Sequence, residues 1–377
     1  MRTAALLVAA LLAAACARPP LPSSVRPRLF VVTQVPAGEA GFDPDPRSRY
    51  PQASRLVVVD LAKPEAGPHV ISSGLFAAGA PAVRSDGGRI AFVAREKETD
   101  RFAVWTCAPD GSERTRSAEV AADCGSAAFL ADGRLAFSAA VSAAQWAIFV
   151  TGAGGGAPQR ITFSGGMDLD PTPLPDGRIA FASRAPGAAE FALLSVHVDG
   201  TGVAPYRGSA RTRALLLAED AAHDAGAAND PAWRTIECVP LAPQRKPQGH
   251  LSVVDPTKTT GDVFCIDVRP PGDTQSRRAR FVELVAPPRP LGDVPLEADG
   301  SVFVRLPADT PLGLELLDAA GHVTHAQRTP FWVRPGETRG CVGCHEEPDT
   351  TPPNVRPIAV LEAAVPLGGA RPAEGSR

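Results

Sequence analysis

Three copies of one phrase constrain the fold of this chain more than any other feature. They are SDGGRIAF at 85–92, LADGRLAF at 130–137 and LPDGRIAF at 174–181. Arg89 and Arg134 lie 45 residues apart, and Arg134 and Arg178 lie 44 apart. A period of about 40 to 45 residues with several strands in each unit is the mark of a β-propeller, in which every blade is a small four-stranded sheet. Asp-Gly supplies the tight turn that reverses a strand, and the following R-[IL]-A-F predicts a half-buried strand by its alternation. Each copy leads into a second strand and turn, namely FAVWTCAPDGS, WAIFVTGAGGG and FALLSVHVDGTG, and SRLVVVDLAKPEAG at 54–67 reads as the outer part of a preceding blade. Helices have little room, because 39 Pro and 35 Gly in 377 residues interrupt nearly every window.

These units resemble the blades of the TolB-type propeller over residues 54–205. Three and a half clear units do not close a ring, so residues 28–53 and 206–260 are expected to supply degenerate blades, or the propeller is incomplete. AEDAAHDAGAANDPAWR at 218–234 has lost the pattern and reads as a long loop. GAGGGA at 152–157 fits the G-x-G-x-x-A of dinucleotide sites formally, but a strand-like QRITF follows where a helix belongs, so a turn between strands is the reading. GGMDLDP at 165–171 places Asp168 and Asp170 in an expected loop, as polar residues or as ligands of a calcium ion.

The N-terminus points to export. Arg2 is the only charge before ALLVAALLAAAC, an apolar run too short for a membrane span of roughly 20 residues. The run ends in Ala13-Ala14-Ala15-Cys16, which resembles a bacterial lipobox; Leu is more usual where Ala13 stands. The resemblance implies a signal peptide over 1–15, lipidation of Cys16 and a membrane anchor on the periplasmic side. Ordinary A-x-A cleavage, giving a free periplasmic protein, is the alternative. A Pro-rich polar linker occupies 16–27. The formal charge of −3 becomes −4 when Arg2 is removed, and the densest basic cluster, SRRAR at 276–280, is read as a solvated face, which argues against nucleic acid as a partner.

Cys341-x-x-Cys344-His345 is the chemical motif of the chain. Two thiols at this spacing add to the vinyl groups of haem while the adjacent imidazole reaches iron, so one covalent haem c is expected on Cys341 and Cys344 with His345 as metal ligand. A zinc site requires four ligands, and no second C-x-x-C or H-x-x-x-H is present. A disulfide-exchange site lacks the βαβ setting that activates a thiolate. Candidates for a second axial ligand are Met167, His69, His197, His223, His250, His322 and His325, with a vacant position as the alternative. Of the remaining cysteines, proximity in sequence favours disulfides Cys107–Cys124 and Cys238–Cys265 over buried thiols.

Residues 291–323 alternate apolar positions around an Asp-Gly turn, as small antiparallel strands of a β-sandwich do. VPLEADGSVFVRLPADTP, VRPGETRGCVGCHE and PPN together resemble the haem-bearing middle domain of the hydrazine synthase alpha subunit, over roughly 251–358. In that family a propeller precedes the haem domain. The resemblance implies covalent haem at Cys341 and Cys344, with His345 on the iron or turned to another metal. The family also has a further domain with a second C-x-x-C-H and a tyrosine ligand to the middle haem. This chain continues only 32 residues past His345, and its two tyrosines, Tyr50 and Tyr206, lie far upstream.

The expected architecture is therefore all-β: a propeller over 28–250, a haem-bearing sandwich-like domain over 251–358 and a disordered tail over 359–377. The leading functional expectation is a lipid-anchored monohaem cytochrome exchanging electrons with a redox partner protein. A haem enzyme or sensor acting on a small nitrogen or oxygen compound, with Glu346 or Glu347 relaying protons, is the second reading. A propeller scaffold that binds proteins is the third.

Overall fold

The computed structural model describes residues 27–38, 45–118, 120–152, 156–206, 231–284, 287–327, 329–341 and 356–369. Its chain divides into two compact units, Met1–Ser117 with Arg207–Arg245, and Ala118–Tyr206 with Lys246–Arg377. The second unit holds two blades together with the C-terminal module.

The first unit holds two four-stranded sheets. In one, β1 (Leu29–Pro36), β2 (Arg55–Asp60) and β3 (His69–Val70) lie in that order, and a strand from far along the chain, Trp233–Pro240, pairs with β1 on the other side. The expected outer part of a preceding blade is thus β2 and β3, and the blade is completed by a strand about 200 residues later. Glu237 fastens that strand: it accepts from Thr33 Oγ1 at 2.6 Å, Tyr50 Oη at 2.6 Å and the Ala80 amide at 2.9 Å. Tyr50 is fully buried and follows a single-turn helix, α1 (Pro46–Arg49), capped by the Asp45 carboxylate. The second sheet runs β4 (Ala77–Val83), β5 (Ile90–Arg95), β6 (Ala103–Cys107), β7 (Thr115–Ala118).

The second unit opens with two further blades, β8 (Cys124–Phe129), β9 (Leu135–Ala140), β10 (Trp146–Val150), β11 (Gln159–Arg160), and β12 (Met167–Pro173), β13 (Ile179–Arg184), β14 (Ala192–Val196), β15 (Ala204–Pro205). A single parallel pair, Trp146 with Met167, joins them. Two four-stranded sheets follow: β17 (Thr260–Cys265), β20 (Val302–Pro307), β23 (Thr338–Cys341) and β24 (Val365–Pro366) in the order β23-β17-β20-β24, and β18 (Arg278–Glu283), β19 (Arg289–Pro295), β21 (Leu312–Leu317) and β22 (Val323–Ala326) in the order β19-β18-β21-β22, with β16 being Trp233–Pro240. The architecture is all-β, blades followed by a two-sheet, sandwich-like module. Among the described residues no helix is long and apolar enough to cross a membrane.

The repeated phrase folds by local chemistry. In LADGR and LPDGR the Asp132 and Asp176 carboxylates accept the amides of Arg134 and Arg178, and each pairs with the same Arg's guanidinium at 2.7 Å. Gly133 and Gly177 take φ of 88° and 90°, where only Gly is unstrained. The first copy carries an extra Gly, so Asp86 accepts from Gly88 and Arg89 turns to Glu113. The strand after the turn is not half-buried as its pattern predicts. β5 is buried at every position, with Ile90, Phe92 and Ala94 in one cluster and Ala91 and Val93 on the other face. Both faces of a middle blade strand are covered, and Ala supplies the thin side.

Alternation is clean in the module, where β17 and β20 bury every second residue. Its core is continuous with the blades of the same unit: Val263, Val304, Phe281 and Trp332 share one cluster with Ile161, Phe163, Ile179 and Phe181.

Candidate functional site

The residues leading to Cys341 are held by a latch built from VRPGETRGC. Trp332 is fully buried, and its Nε1 donates to the Gly200 carbonyl at 2.9 Å. Arg334 Nε donates to the Asp199 carbonyl at 3.0 Å, and its Nη1 meets Asp309 Oδ1 at 2.7 Å. The Glu337 carboxylate accepts the Arg334 amide at 2.7 Å and the Gly202 amide at 2.9 Å. Burial pushes the Glu337 pKa up despite those two amides. Arg339 donates to the carbonyls of Val203 and Trp332. Asp199, Gly200 and Gly202 belong to the DGTG turn of the fourth blade, so one turn of the repeat is the seat for the segment that leads into β23.

That turn spells its own geometry. Asp199 Oδ1 accepts from the Thr201 amide and hydroxyl, as Asp110 does from Ser112 and Asp299 from Ser301. Gly200 has φ of 87°, and a Cβ there would stand 2.5 Å from the Ile161 carbonyl oxygen and 2.9 Å from the Arg334 side chain. Burial raises the Asp199 pKa, but its hydrogen bonds from Thr201 and Val253 outweigh this and leave it lowered.

β23 is an edge strand running parallel to β17, with Cys341 as its last residue, half-buried against the module core. In the ladder Gly340 stands opposite Phe264 and Cys341 opposite Cys265. Cys265 is 4% exposed, and its Sγ contacts the Asp267 carbonyl at 3.7 Å. No sequence signal short of strand register brings these two thiols together.

Cys16, Cys344, His345, Glu346, Glu347 and His223 lie outside the described residues. Among the described residues no group of three or more His, Cys, Asp or Glu side chains is placed to hold a metal ion. Cys107 and Cys238 are thiols inside the two cores of the first unit, opposite Ile90 and Val32. The expected pairings Cys107–Cys124 and Cys238–Cys265 are not formed: Cys107 and Cys238 are free thiols packed among apolar side chains. Burial pushes their pKa values up to about 11 and about 12.

The axial-ligand candidates are scattered. His69 is exposed and bonded to the Asp110 carbonyl, His322 pairs with Asp318, His325 lies 3.5 Å from Asp273, and Met167 Sδ receives Arg184. His197 and His250 stack, with ring centroids 4.2 Å apart and planes 8° apart. His250 Nε2 is 3.4 Å from Asp199 Oδ2, without the alignment of a hydrogen bond. Burial, and then the His250 ring, lower the His197 pKa. His250 lines a cleft of about 260 Å³ with Leu130, Pro173, Gln248 and the Asp132–Arg134 pair. Asp168 is in strand β12, not in a loop. It is fully buried, receives Ser183 Oγ at 2.7 Å, and has its pKa raised by burial. Around 152–157, β10 and β11 pair as a hairpin, so the glycine run joins two strands, with 153–155 outside the described residues. In SRRAR, Arg278 and Arg280 face Asp293, and Arg280 also faces Glu315.

Fold and motif together define a class: an all-β chain whose propeller blades lead into a two-sheet module with a Cys-x-x-Cys-His motif in its sequence. Residues 253–346 match the family described as the hydrazine synthase alpha subunit middle domain. Hydrazine synthase from Kuenenia stuttgartiensis has the same fold, with a TM-score of 0.73 at 15% identity over 89% of this chain and 72% of that one. Putative TolB from Agrobacterium tumefaciens gives 0.37 at 17% identity, over 47% of this chain and 60% of that one. TolB from Acinetobacter baumannii gives 0.35 at 14%, over 84% and 67%. A comparison with curated proteins returns no match.

Proposed function

We propose that the chain carries one haem c, covalently bound to Cys341 and Cys344 with His345 as a metal ligand, and exchanges electrons with a redox partner protein on the periplasmic side of a bacterial membrane. Cys16 is the lipid anchor. The observation that carries the reading is the position of Cys341: it ends a strand held by the Trp332–Glu337 latch, inside the segment that matches the hydrazine synthase alpha middle domain. The donor set fits the group. Two thiols and an imidazole in C-x-x-C-H are the chemistry of haem attachment, and a half-buried thiol at a strand end is accessible to a vinyl group while its backbone stays fixed. Bound haem supplies a one-electron iron couple; the chain supplies a rigid strand to carry it.

The likeness of fold to hydrazine synthase favours a second reading, a haem enzyme or sensor for a small nitrogen or oxygen compound. One experiment separates the two. The full chain is produced in a host with a c-type haem maturation system, and optical spectra are taken ferric, dithionite-reduced, and with carbon monoxide. Low-spin bands unmoved by carbon monoxide are the expected result and support electron transfer. High-spin bands that shift with carbon monoxide put the enzyme or sensor first. Absence of covalent haem under denaturing conditions overturns both.

A further inference from the structure

The ladder of β17 and β23 places Cys265 directly opposite Cys341. Neighbouring strands lie about 4.8 Å apart, inside the Cα separation of ~4.4–6.8 Å that a disulfide spans. Side chains alternate along a strand, so register settles the face. Gly340 abuts the Phe264 ring, where an added Cβ would stand 2.8 Å from Cζ. Cys341 and Cys265 therefore share the opposite face, and both pack on the module core. The other cysteines of the described ladders have no such neighbour: Cys107 stands opposite Ile90, Cys124 opposite Ala139 and Cys238 opposite Val32.

We infer that Cys265 and Cys341 form a disulfide in the haem-free chain. The oxidant is a small-molecule or protein disulfide, RSSR. Half-buried Cys341 is the thiol that meets it: its thiolate attacks one sulfur and releases RS⁻, giving a mixed disulfide. The Cys265 thiolate then attacks Cys341 Sγ and releases the second RS⁻. The two protein thiol protons end on two RSH, and two electrons pass to the reagent. Cys265 is too buried to be the first target and is well placed as the second. A thioether at Cys341 leaves no thiol, so, on the haem reading above, the disulfide and haem attachment exclude each other. Cys265 thereby becomes a redox control on haem loading.

The test uses the full chain made without haem and equilibrated with oxidised glutathione. Remaining thiols are alkylated, and the tryptic digest is analysed unreduced. The expected product joins the peptide beginning at Thr259 to the one beginning at Gly340. It persists in Cys344→Ser and disappears in Cys341→Ser. A bond within the Gly340 peptide alone, or alkylation of both Cys265 and Cys341, overturns the proposal, and this readout needs no substitution at Cys265. For the control of loading, Cys265→Ser and Cys265→Ala are expected to raise haem incorporation at least threefold when maturation is run without added reductant, and to match the parent when reductant is present. Unchanged incorporation with the crosslink present refutes the control but not the disulfide. If no form takes up haem even with reductant, the haem reading fails while the crosslink result stands.

Discussion

The Glu337 carboxylate offers the sharpest test of the latch. It accepts two buried backbone amides, Arg334 N and Gly202 N, and the residue is 5% exposed. In Glu337→Ala both donors lose their acceptor, and each orphaned amide costs about 1–3 kcal/mol. Removing the carboxylate also returns part of its desolvation penalty, which the raised pKa reflects. The expected net loss is about 2–4 kcal/mol. Urea unfolding of the full chain, followed by tryptophan fluorescence, measures it as a lower midpoint at unchanged slope. Glu337→Gln keeps one acceptor and should fall between Ala and the parent. Glu283→Ala is the control, because its pair with the largely exposed Arg289 is worth at most about 1 kcal/mol. A loss in Glu337→Ala no larger than in the control would refute the latch.

Asp168 should make the fold less stable at neutral pH. Burial raises its folded pKa above the unfolded value of 3.8, so its stabilisation is complete below that pH and is lost as pH rises through the folded pKa. Asp168→Asn is expected to flatten that slope and add about 1 kcal/mol at pH 7, read from thermal unfolding across pH. Gly133→Ala and Gly200→Ala share a positive φ but differ in space. The first meets nothing within 4 Å and should cost about 1 kcal/mol. The second collides with the Ile161 carbonyl and should cost roughly 3 kcal/mol or more in denaturant midpoints. Tyr50→Phe removes the hydroxyl that Glu237 accepts and should destabilise by about 1.5–3 kcal/mol in calorimetry.

Much of the fold is legible because its signals are local. The Asp-Gly turns at 132, 176, 199 and 299 satisfy their own amides within two residues, so a short phrase spells the whole turn. The module strands β17 and β20 show their buried face directly in their alternation. Alternation misleads at β5, where a small Ala face is covered as fully as the large one. Ala and Gly fit a solvent face and a closely packed one equally well, and the one-dimensional pattern does not distinguish them.

The cysteines mark the limit. Sequence alone determines that Cys341, Cys344 and His345 form one chemical unit, because three residues in five stay together in any fold. It also determines that the chain is built from repeated strands and turns. Only the tertiary structure decides that the first blade takes its last strand from 233–240, that the DGTG turn seats Trp332 and Arg334, and that Cys265 faces Cys341 instead of Cys238. Those pairings join residues from about 75 to more than 200 positions apart. They are set by which faces must be buried together, a property of the assembled sheets that spacing along the chain does not carry.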